Sequence, residues 1–119
     1  MTARSSRKGG EIDALELLRR FCVDDPRVEG SAGENWSHVI DPRTAALVRI
    51  GALIAASAPT ASMRTAVDDA ITAGISVREI VGVLDGMVSV AGRPRAVAAA
   101  PRIAAALGYE EEFTSDDDA

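Results

Sequence analysis

The chain has 119 residues, a length that suits one domain with a modest core. Its formal net charge of −5 and pI of about 4.8, with no basic stripe, argue against a nucleic-acid surface. Aromatic residues make up only 3% of the chain, which leaves few platforms on which bases could stack.

The opening stretch MTARSSRKGG is basic, small and polar and is expected as a disordered arm over residues 1–10. It holds no apolar run, so a cytoplasmic chain is expected. A single all-α domain is expected over 11–109, with about five to six helices. The first runs from Glu11 to Val23 and sets Ile12, Leu15, Leu18 and Cys22 on one stripe. Cys22 is the only cysteine, which excludes an internal disulfide and a CxxC pair; its place on that stripe predicts an inert buried thiol.

Residues 24–40 read as a loop carrying Trp36 and His38. His38 is the only histidine, so no multi-histidine metal site can form, and no metal or cofactor is expected. Asp41-Pro42 looks like an N-cap followed by proline at the first helical position. The helix after it runs to about Ser57 and is apolar nearly all round. Its longest apolar stretch, Ala45 to Ala58, is too short for a membrane span and contains Arg49. Pro59-Thr60 interrupts it. A third helix follows from about Ala61 to Ala73, with Met63, Ala66, Val67, Ala70 and Ile71 at helical spacing and Gly74 as its stop.

Ser76 and Glu79 form an S-x-x-E capping box for the fourth helix, which ends at Gly92. Ile80, Val81, Leu84, Met87 and Val88 form its apolar stripe. Gly82 and Gly86, four apart, suggest that another backbone approaches closely. The last helix, Pro94 to Leu107, is alanine-rich, stops at Gly108 and holds Pro101, which should kink or restart it. An acidic, mobile tail is expected over 110–119. Two helices apolar on nearly every side need more cover than five short helices can give, so a homo-oligomer is expected.

The segments WSHVIDPRTAALVRIGALIA and MRTAVDDAITAGISVREIVGVLDGMVSVAGRP, with the alanine-rich end, cover about three fifths of the chain. Their ordered signals are Ile40-Asp41, Gly74, Ser76, Glu79-Ile80 and Gly92-Arg93-Pro94. This order resembles the carboxymuconolactone decarboxylase family, which includes the alkylhydroperoxidase D-like proteins. The resemblance implies an all-α helical fold assembling as trimers or hexamers. It also implies lyase-type decarboxylation of a lactone or thiol-based peroxide reduction. The Cys-x-x-Cys-x-x-x-His positions of the peroxidase-type members fall here on Pro59, Ser62 and Ala66. The chain therefore reads as a degenerate member without thiol redox chemistry.

A pocket in this region would be lined by Trp36, Ser62, Met63 and Ala66. Two side chains are candidates for catalysis. Arg49, inside an apolar helix, could anchor a substrate carboxylate; it could equally pair with Asp68, Asp69, Glu79 or Asp85. His38 could replace the missing acid–base group or lie on the surface. Two functions follow. One is a cofactor-independent decarboxylase, isomerase or cyclase acting on a small apolar keto- or lactone-type metabolite. The other is a non-catalytic ligand-binding or assembly subunit. Neither a nucleic-acid nor a membrane partner is expected.

Overall fold

The structure is a computed structural model that describes residues 13–28, 39–109 and 113. Among them are five α-helices and no strand, as expected: α1 (Ala14–Cys22), α2 (Pro42–Ala55), α3 (Thr60–Thr72), α4 (Val77–Ala91) and α5 (Arg93–Leu107). The chain divides into two compact units, Met1–Asn35 and Trp36–Ala119, and the expected domain over 11–109 spans both. The expected arm over 1–10 lies outside the described residues. So does the expected acidic tail apart from Phe113, whose ring stacks on Tyr109 at 5.6 Å between centroids.

In the first unit, Asp13 caps α1 by accepting from the Leu15 N–H. Glu16 receives Arg19 at 2.8 Å and Arg20 at 3.0 Å along the polar face. Those hydrogen bonds, Arg19 first, hold its carboxyl down at about 2. The helix ends with Asp24 in the left-handed conformation at φ 54°. Periodicity placed Leu15, Leu18 and Cys22 on one stripe, but no residue of α1 is buried. The Cys22 thiol is exposed, which corrects the expectation of a buried one. Helical spacing says which side chains share a face; it does not say that anything covers them.

In the second unit, α2 and α5 each pack against both α3 and α4, and meet each other along a narrower contact. The core they share is built from Ile50 and Ile54 of α2, Met63, Ala66, Val67 and Ala70 of α3, Ile80 of α4, and Ala99 and Ile103 of α5. No polar or charged residue is buried among the described residues.

The ends of these helices follow local chemistry. Asp41 accepts from the Thr44 N–H at 2.7 Å, and Pro42 occupies the first turn, where its missing N–H costs nothing. At Gly74 (φ 91°) the chain turns through a Schellman motif: Ile75 N–H bonds Ala70 C=O at 2.9 Å and Gly74 N–H bonds Ile71 C=O at 3.0 Å. Ile75 is thereby folded back and buried. The same pattern closes α5 at Gly108. It also closes α2, where Ser57 takes the left-handed position at φ 56° and Ala58 N–H reaches Leu53 C=O at 3.0 Å.

One expectation about the helix interiors is corrected: α5 runs unbroken through Pro101, so the helix does not restart there. Among the described residues, a β-carbon built at Gly82 or Gly86 would meet nothing within 4 Å. Gly51 is in ordinary packing contact with α4 side chains. An added β-carbon there would lie 3.5 Å from Met87 Sδ and 3.7 Å from Val83 Cγ1, where α2 crosses α4.

Candidate functional site

The residues singled out by sequence fall in different surroundings. Met63 and Ala66 are 0% and 1% exposed, inside the shared core against their apolar neighbours. Ser62, one residue before Met63 and so rotated by about 100°, faces outward. Pro59 is exposed as well. Of the three positions where relatives of the resembling family would carry Cys, Cys and His, only Ala66 points inward, and it brings no titratable group. Trp36 and His38 lie outside the described residues.

Arg49 sits on the flank of α2 with its side chain 26% exposed. Its Nη1 donates to Asp69 Oδ2 of α3 at 3.4 Å, one of the four acids expected as possible partners. Asp69 is 58% exposed, and a pair so open to solvent contributes about 0–1 kcal/mol. Asp68, its neighbour, is exposed.

A second ionic link joins the beginnings of α2 and α4. The Arg43 guanidinium donates to Glu79 Oε2. Glu79 Oε1 meanwhile accepts from the Ser76 N–H at 2.9 Å and the Ser76 hydroxyl at 3.0 Å, while Ser76 Oγ accepts from the Glu79 N–H at 3.1 Å. This capping box, with Arg43 added, holds the Glu79 carboxyl at about 2, the Ser76 backbone N–H being the largest cause. A carboxylate held that low is a poor proton donor or acceptor at neutral pH.

Sequence reasoning missed the partners of two further arginines. Arg95 donates to the carbonyl oxygen of Ala55, with Ser57 Oγ at 3.4 Å. Arg102 donates to Ala58 C=O at 2.9 Å. From α5 they satisfy acceptors at and beyond the end of α2, where no intrahelical partner remains. The available signal was their spacing: arginines seven apart lie on one side of an otherwise alanine-rich helix.

The N-terminus of α3 begins at Pro59 with no capping side chain. Among the described residues no cluster of His, Cys, Asp and Glu could hold a metal ion, and no helix is long and apolar enough to cross a membrane. Valines of α2, α4 and α5 are exposed. Val48 on α2 is 48% exposed, Val81 on α4 48% and Val97 on α5 56%. Val77 and Val88 flank Val81 on α4 and are exposed too.

No family model matches the chain, and no curated protein and no solved structure matches it.

Proposed function

We propose that the α2–α5 bundle is the subunit of a homo-oligomer and acts as an assembly module of carboxymuconolactone decarboxylase-like type. The observation that carries this reading is the apolar strip on α4. At 100° per residue, Val77, Val81 and Val88 fall within about 40° of one another, next to Ile80 and Leu84 of the core stripe. They form a contiguous extension of the apolar face rather than the scattered exposed valines of an ordinary surface.

A stable interface removes on the order of 1,000 Å² from water, more than one strip of valines offers. The contact therefore extends to a further face, and α2 and α5 present Val48 and Val97. A contact that joins exposed valines of different helices suits a head-to-tail arrangement that closes into a ring, in keeping with a trimer. The test is a double charge substitution, Val81→Glu with Val88→Glu. Both positions are solvent-facing in the single chain, so the helix content should persist while the oligomer dissociates. A variant that keeps the parent's mass in solution would remove the α4 strip from the interface.

A second reading rests on Arg49. A half-buried guanidinium on an apolar helix, held by Asp69 at 3.4 Å, could exchange that carboxylate for one on a small keto- or lactone-type metabolite. The chain would then bind or transform such a ligand without a redox cofactor, by orientation and anion contact. Arg49→Gln tests it: uptake of a small organic acid seen in the parent and lost in the intact variant supports this reading. Equal uptake by both removes Arg49 from it.

A further inference from the structure

We draw no further inference here: the strongest candidate, the exposed apolar face of α1 formed by Leu15, Leu18 and Phe21, carries nothing because nothing in the structure shows what covers it.

Discussion

Single residues decide where this chain turns, and the glycines separate into classes that substitution should resolve. Gly92 joins α4 to α5 at φ 101° and ψ 149°, close to a region essentially reserved for glycine. Gly92→Ala should lower unfolding free energy by roughly 1–3 kcal/mol in a urea titration. Gly82 and Gly86 are helical with open space beyond them, so Gly82→Ala should stabilise the isolated bundle by up to about 1 kcal/mol through helix propensity. A loss on Gly82→Ala, measured in the dissociated protein, would show that something in the chain does approach that site. At Arg102 the argument is a hydrogen bond to the carbonyl of Ala58, a residue 7% exposed. Arg102→Ala leaves that acceptor to find water in a half-closed turn, and should cost about 1–2 kcal/mol.

Helices were the most legible scale. Asp41-Pro42, Ser76 with Glu79, Gly74, Gly92 and Gly108 each mark an end by chemistry that acts within a few residues, and the structure places helix ends there. The ends without glycine, expected at Val23 and about Ser57, fall within two residues of those positions, but their conformation was not visible. Ser57 and Asp24 adopt positive φ although neither residue type signals it strongly. The helix continues through Pro101 because the cost of an interior proline depends on its surroundings. The carbonyl it leaves without a donor belongs to Val97, an exposed residue, and proline preserves the helical φ. The long-range links were illegible for a different reason. Arg43 finds Glu79 from 36 positions away and Arg95 finds Ala55 from 40, and no local pattern encodes such a distance.

The Ser76 backbone hydrogen bond to Glu79, with Arg43 beside it, gives the start of α4 a pH dependence of defined sign. Glu79 titrates at about 2 in the folded chain against 4.5 for the free side chain, so its contribution is present above about 4.5 and is lost as pH falls toward 2. Glu79→Gln should therefore be less stable than the parent at pH 7, and the difference should shrink through the window from 4.5 to 2. Urea midpoints at a series of pH values would show it, and a difference that stays constant through that window would count against the capping-box account.

At the scale of the whole molecule, periodicity showed part of the core of the second unit: Met63, Ala66, Val67, Ala70 and Ile80 recur at helical spacing and are buried, while Ile71, Val81 and Val88 of the same stripes are exposed. The same burial changes how the expected pocket lining is to be understood. Met63 and Ala66 pack inside the chain's own core, so Met63→Ala should cost about 2–5 kcal/mol of stability, read from thermal or urea unfolding. The candidate site was far less legible than the fold. Sequence could name Arg49 and four possible acids, but only the crossing of α2 with α3 selects Asp69.

The apolar all-round character of α2 also had two solutions in sequence, full burial within one chain or sharing between chains. In the structure Ala45, Ile50, Gly51 and Ile54 are buried while Val48 and Ala52 stay exposed. That exposure adds to the α4 strip on which the proposal of self-association rests, and the mass of the native particle tests it most directly. Native mass spectrometry of the full chain at micromolar concentration should give an integer multiple of the 12.4 kDa protomer, three or six in the proposed ring. A particle of 12.4 kDa that persists as concentration is raised would contradict the account, leaving the valines of α2, α4 and α5 as ordinary surface.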